Sequence, residues 1–141
     1  KFYEAKNSNQ LEVNCWGTGS PLREFLHVDD LGRAVLFALE NWDPNDKKSP
    51  RNDNGERLSY LNVGTGLDIS IKELAELISN EYGYFGEIKW DHNKPDGTPK
   101  KLLDITRIRE MGWEPKISLE AGVRRTISEF KEIYNSKKFK G

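Results

Sequence analysis

At 141 residues, with a formal net charge of -1, 35% apolar and 32% charged residues, the sequence has the size of one compact domain and lacks the broad positive field of a nucleic-acid binder. A lone Cys15 excludes an internal disulfide and a structural zinc site, and no long apolar run or signal-peptide pattern occurs. Four Trp, five Tyr and six Phe supply large side chains for a core, so we expect a soluble, cytoplasmic chain with neither a membrane nor a nucleic-acid partner.

"FYEAKNSN" reads as the tail of a helix ending in turn formers, which suggests a segment upstream of residue 1. "LEVNCWG" alternates Leu11, Val13 and Cys15 on one face, "TGSP" turns, and "LREFLHV" alternates again, which predicts a hairpin with a longer loop. "DDLGRAVLFALENW" sets Leu31, Val35, Leu36 and Leu39 at helical spacing, with Asp29 or Asp30 placed to cap the first turn. Asp43 to Arg57 is charged and rich in turn formers, a mobile surface loop.

A strand is expected at Leu58 to Val63, running into a glycine turn. Ser70, three residues before Glu73, forms a capping box for a helix striped by Ile71, Leu74, Leu77 and Ile78 and stopped at Gly83. "GEIKWD" and "KKLLD" read as strands, Asp104 as the cap of the short helix "ITRIREMG", and Ser118 as the cap of a long amphipathic helix with a basic end. Strands and helices alternate without a regular βαβ repeat. The expected fold is a small α/β domain with a mixed sheet.

Two glycine turns, "GTGSP" and "VGTGLD", lack the G-x-G-x-x-G spacing of a dinucleotide fingerprint and read as turns. Tyr134 and Lys138 have the spacing of a lysine-activated tyrosine but sit at the C-terminus with no cofactor fold around them. His27 and His92 have no ligand-spaced partner, so no metal site is expected, and Cys15 reads as a small core residue.

Trp16 and Arg23 flank one loop. An indole stacks on a base or covers a sugar and a guanidinium grips phosphate through two bonds, the chemistry a nucleoside diphosphate needs. The other reading makes Trp16 a core aromatic and pairs Arg23 with Glu24 or an acid on the next helix. Likewise "KPDGTPKKLLD" is either a charged turn or an anion site. In the second case Lys100 and Lys101 neutralise phosphate and Asp96 accepts bonds from sugar hydroxyls or a purine edge, while the prolines limit the entropy lost on ordering.

"CWGTGSPLREFLHVDDLGRAV", "LNVGTGLDISIKELAELI" and "KPDGTPKKLLDITRIREMGWEPKISLEAGV" together resemble the C-terminal, substrate-binding part of the GDP-L-fucose synthase family, extended short-chain dehydrogenase/reductases. "REFLHVDDL" and "NVGTG" mark the superfamily; "PDGTPKKLLD" followed by "GWEPKISLEAG" is specific to the fucose synthase group. The resemblance implies a GDP-sugar-binding domain over residues 1–141, and an enzyme that epimerises GDP-4-keto-6-deoxy-D-mannose at C3 and C5 and reduces C4 with NADPH.

By that resemblance the tryptophan and arginine of W-G-x-G-x-P-x-R-E-F fall on Trp16 and Arg23, the aspartate of P-D-G-T-P on Asp96, and the second basic residue after it on Lys101. A further substrate-contacting arginine falls on Lys1, where lysine keeps the charge and loses the bidentate fork. The family's cofactor-binding glycines, its Ser, Tyr and Lys, and its Cys and His acid/base pair lie in an N-terminal Rossmann domain absent from this sequence. The expectation is therefore a substrate lobe with no catalytic residue, no bound cofactor and no turnover alone, whose parent is a homodimer. The alternatives are a lobe for another nucleotide sugar, such as a colitose-type synthase, and a stand-alone binding or assembly module using loop 43–57 and the last helix.

Overall fold

The computed structural model describes residues 1–138, the last two by backbone alone. They fall into two compact units. One comprises Lys1–Arg23, Ile69–Lys101 and the chain from Ser118; the other comprises Glu24–Asp68 and Leu102–Ile117.

The first unit opens with α1 (Phe2–Asn7) and β1 (Glu12–Trp16). Along β1, Val13 is buried and Cys15 half-buried, while Glu12, Asn14 and Trp16 point outward, the period-two alternation of a strand with one covered face. Leu11, expected on the covered face, precedes the strand and is exposed. Beneath β1 lies a small core of Ala5, Val13 and Tyr84, with Phe2 and Cys15 packed against it.

The hairpin predicted from residues 11 to 28 does not form. β1 pairs in parallel with β4 (Glu87–Asp91), and β2 (Leu22–Glu24) pairs in parallel with β5 (Lys100–Lys101), in the strand order β3-β2-β5, where β3 is Asp68–Ser70. The link between β1 and β2 lacks the two-residue Asn-Gly type of turn that sets a hairpin register. Gly17 and Gly19, both at φ +75°, instead bend the chain so that the carbonyls of Gly19 and Pro21 accept from the amides of Lys72 (2.9 Å) and Ile71 (3.1 Å). Those amides open α3 (Ile71–Tyr82) and have no partner within the helix, so the loop completes the helix instead of a hairpin.

α3 forms as its sequence predicts. Ser70 Oγ accepts from the Glu73 amide at 3.1 Å, Glu73 accepts from the Ser70 amide at 2.9 Å, and Gly83 ends the helix at φ 64°. Ser70→Ala removes the side-chain half of this box, with an expected loss of about 1 kcal/mol measured by urea unfolding. α5 (Leu119–Lys138) starts at Ser118, whose Oγ accepts from the Ala121 amide at 3.2 Å. Arg124 joins it to α3 by two bonds to Glu81, at 2.8 and 3.1 Å.

In the second unit, α2 (Val28–Asn41) is capped by His27, whose Nδ1 accepts from the Asp29 amide at 3.2 Å, and not by the predicted aspartates. Asp30 is withdrawn from capping because its side chain is buried and receives the amides of Lys116 (2.9 Å) and Ile117 (2.8 Å) and the Arg33 guanidinium (2.6 Å). The core gathers Ala34, Ile105, Ile108 and Trp113, with Leu26, Phe37 and Val63 against it. The predicted apolar stripe of α2 is not what packs there: Leu31, Val35, Leu36 and Leu39 are all exposed, Leu39 at 79%.

The strand expected at Leu58 to Val63 is also absent. Leu58 is buried and Asn62 Nδ2 donates to the Asp104 carbonyl at 3.0 Å, but no ladder partner lies beside the segment among the described residues. Asp43 to Arg57 is irregular, as expected, and held by local bonds such as Arg57 to Asn45 Oδ1 at 2.8 Å. α4 (Thr106–Glu110) has Ile105 at its N-cap, while Asp104 Oδ1 takes the Thr106 amide at 2.9 Å, so the predicted aspartate does serve the first turn. Among the described residues no helix is long and apolar enough to cross a membrane.

Candidate functional site

Four of the five predicted site residues meet around one segment of the first unit, residues 94–101. Trp16 ends β1, paired in register with Asp91, and its side chain is 70% exposed, which removes the reading of a core aromatic. The Lys94 ammonium lies 5.5 Å from the Trp16 ring centroid, within cation–π range. Arg23, half-buried on β2, donates to its neighbour's carbonyl, Leu22 O, at 2.6 Å. No carboxylate lies within ion-pair distance of its guanidinium among the described residues. The other predicted partner, Glu24, spends its own carboxylate on the amides of Thr65 and Gly66, both at 2.6 Å, and of Leu103 at 3.1 Å.

The 94–101 segment passes close to Arg23. A Cβ on Gly97 would stand 2.9 Å from the Arg23 Nη2, so a larger residue there would push the end of the guanidinium aside. Four residues on, Lys101 pairs in register with Arg23 on the neighbouring parallel strand. Residues in register on adjacent strands project from the same face of a sheet, so two cationic side chains share one face. Like charges so placed repel each other and attract a bound anion.

Asp96 is more committed than its sequence context predicts. Its Oδ1 accepts from the Thr18 amide at 2.9 Å and its Oδ2 from the Thr18 hydroxyl at 2.6 Å. The Thr18 hydroxyl and amide, with a smaller pull from His92, hold the Asp96 carboxyl below the usual carboxylate range against the opposing effect of desolvation. Each oxygen keeps a lone pair for a ligand donor. Lys1 is placed differently: its ammonium donates to the Asn14 carbonyl at 2.6 Å, and no contact joins it to residues 94–101 among the described residues. Thr18 and Lys94 were not singled out in the sequence; a threonine between two glycines, and a lysine before Pro95, were the only signals.

The glycine turns do not fit a dinucleotide. At "NVGTG" the place where a pyrophosphate would sit is filled by the protein's own carboxylate, Glu24, which lies 2.4 Å from where a Gly64 Cβ would be. At "GTGS", Gly17 faces Asp96 and Gly19 faces the Trp90 ring. His27 acts as a helix cap, Cys15 is packed against the small core under β1, and the Lys138 side chain that would complete the Tyr134 pair lies outside the described residues. No cluster of metal-binding side chains occurs among the described residues.

Comparison with known proteins bears out both the resemblance and the α/β fold class. The sequence model of the NAD dependent epimerase/dehydratase family matches residues 1–52. The chain is 47% identical to the probable GDP-L-fucose synthase 1 of Oryza sativa subsp. japonica over 98% of its own length. It is 44% identical to the GDP-L-fucose synthase of Escherichia coli (strain K12) over 100% of its length. It spans 38% of the rice relative and 42% of the bacterial one. Among solved structures, a GDP-mannoheptose C4 reductase from Campylobacter jejuni with NADP bound superposes with a TM-score of 0.74 at 32% identity, covering 92% of this chain and 42% of that one.

Proposed function

We propose that residues 1–141 are the C-terminal, GDP-sugar-binding domain of an NADP-dependent 3,5-epimerase/4-reductase that converts GDP-4-keto-6-deoxy-D-mannose to GDP-L-fucose. The observation that carries this reading is the shared cationic face of Arg23 and Lys101, with the same 94–101 segment placing Lys94 over the exposed Trp16 ring. Arg23 and Lys101 grip the diphosphate, the Trp16 ring covers the base or sugar, and Asp96 accepts a hydroxyl or purine-edge donor with its remaining lone pairs. Hydride transfer, with NADPH, and proton transfer belong to an N-terminal Rossmann domain in a cytoplasmic, homodimeric parent; the present residues supply no acid, base or nucleophile to the reaction.

Such a division has a physical rationale. Reacting atoms must be held about 3 to 3.5 Å apart, and binding energy from the unreactive GDP end becomes positional advantage at the sugar. The exposed apolar residues of α2 and the unpaired 58–63 segment are consistent with a surface that the rest of a longer chain covers. Calorimetric titration of GDP into the 141-residue chain, with UDP alongside, tests the reading: saturable heat with GDP and a weaker response to UDP is expected. Equal affinity for both points to a lobe for a different nucleotide sugar, and no heat from a folded chain removes the proposed anchoring role from this domain.

A further inference from the structure

The Thr18 hydroxyl stands at the centre of a bond network that sequence motifs leave unassigned. It donates to Asp96 Oδ2 at 2.6 Å, accepts from the Ser20 amide at 3.1 Å and lies 2.7 Å from Ser20 Oγ. Because its own proton goes to the carboxylate, the Ser20 hydroxyl is left to donate to it. The Thr18 amide donates to Asp96 Oδ1 at 2.9 Å, so one residue engages both carboxylate oxygens.

These bonds join two stretches of chain far apart in sequence. The 17–21 loop runs from Trp16 to the strand that carries Arg23. The 94–101 segment carries Lys94 over the Trp16 ring, Gly97 against the Arg23 guanidinium, and Lys101 in register with Arg23. Asp96 sits between Lys94 and Gly97, so its bonds to Thr18 tie the exposed segment down at the point where it passes from the ring to the cations. Gly17 is part of the same joint: a Cβ there would lie 2.2 Å from Asp96 Oδ1. An untied segment would have to be ordered when ligand arrives, and that entropy would be subtracted from affinity.

We propose that Thr18 is a positioning residue for the nucleoside diphosphate, acting through Asp96 to pre-set the Trp16 ring and the Arg23 and Lys101 charges without touching the ligand. This rests on the GDP-sugar reading of the site. Thr18→Val keeps the shape and the backbone bond and removes the hydroxyl; Thr18→Ser restores it. The 15N–1H indole signal of Trp16, assigned by its loss in Trp16→Phe, is recorded without ligand in each variant, and GDP is then titrated.

Thr18→Val is expected to shift or broaden the Trp16 indole signal and weaken GDP binding by about tenfold, as loss of a hydrogen bond to a charged group does. Thr18→Ser is expected to return both close to wild type. A Trp16 signal unchanged in Thr18→Val, while wild type binds GDP, overturns the positioning role. So does a Thr18→Val defect that Thr18→Ser fails to rescue. A wild type that binds no GDP, while its Trp16 signal still follows the Thr18 hydroxyl, overturns the nucleotide reading and upholds the mechanical link.

Discussion

Arg23→Ala is expected to weaken GDP binding by about 30-fold, or about 2 kcal/mol, the loss typical of a charge-assisted bond to phosphate. The expectation follows from the state of the guanidinium in the free domain. It is half-buried, makes one bond to a backbone carbonyl and has no carboxylate within ion-pair distance among the described residues, so an anionic ligand meets a cation that need not first break an ion pair. Arg23→Lys should recover only part of the loss, since an ammonium cannot present two parallel donors. Lys101→Ala should cost less, about threefold, because its exposed ammonium is screened by salt. Calorimetric titration of the variants reads all of these. Equal effects of Arg23→Ala and Lys101→Ala would indicate a diffuse charge effect instead of a directed grip.

Asp30→Ala is expected to destabilise the second unit by about 3 kcal/mol, through loss of partners for the Lys116 and Ile117 amides and of the ion pair between buried Asp30 and the exposed Arg33. Urea unfolding gives the size of the loss, and faster hydrogen exchange at the Lys116 and Ile117 amides gives its location. Burial by itself would raise the Asp30 pKa, but the Lys116 amide, Arg33 and the Ile117 amide together more than offset it, so the folded value is lowered. A lowered carboxylate pKa contributes stability that is full above the unfolded value, near 3.9, and lost as pH falls through the folded one. The stability difference between wild type and Asp30→Ala should therefore be constant from neutral pH down to about 5 and shrink below the unfolded value. A difference that persists undiminished in acid would show that Asp30 acts through packing alone.

Local signals in the sequence were reliable where a residue's partners are close by. The Ser70–Glu73 capping box and the Gly83 stop are written within one helix, and they formed. Ser118 serves the first turn of α5 and Asp104 that of α4 for the same reason. What failed were readings that depended on distant partners. "LEVNCW" and "LREFLHV" look like neighbours in a hairpin, yet β1 is claimed by β4 and β2 by β5 in parallel ladders that no turn motif announces. The strand expected at 58–63 and the helical stripe of Leu31, Val35, Leu36 and Leu39 have no counterpart in the described residues, so one stays unpaired and the other exposed.

The site was legible as residue types and not as geometry. Spacing alone left Trp16 and Arg23 open between a core role and a binding role, and the 70% exposure of Trp16 decides against the first. The Thr18–Asp96 joint spans 78 positions, and the two glycines beside Thr18 say nothing about a partner so far along the chain. Lys94 over Trp16 and Gly97 against Arg23 were hidden for the same reason.

The most direct test of a nucleotide-gripping face on the first unit is a 15N–1H shift map of the full chain titrated with GDP. Saturable changes are expected at the Trp16 indole and at the amides of 17–20, 23 and 96–101, with little change in loop 43–57. Changes confined to that loop or to the exposed face of α2, or an unperturbed Trp16 at saturation, would contradict it.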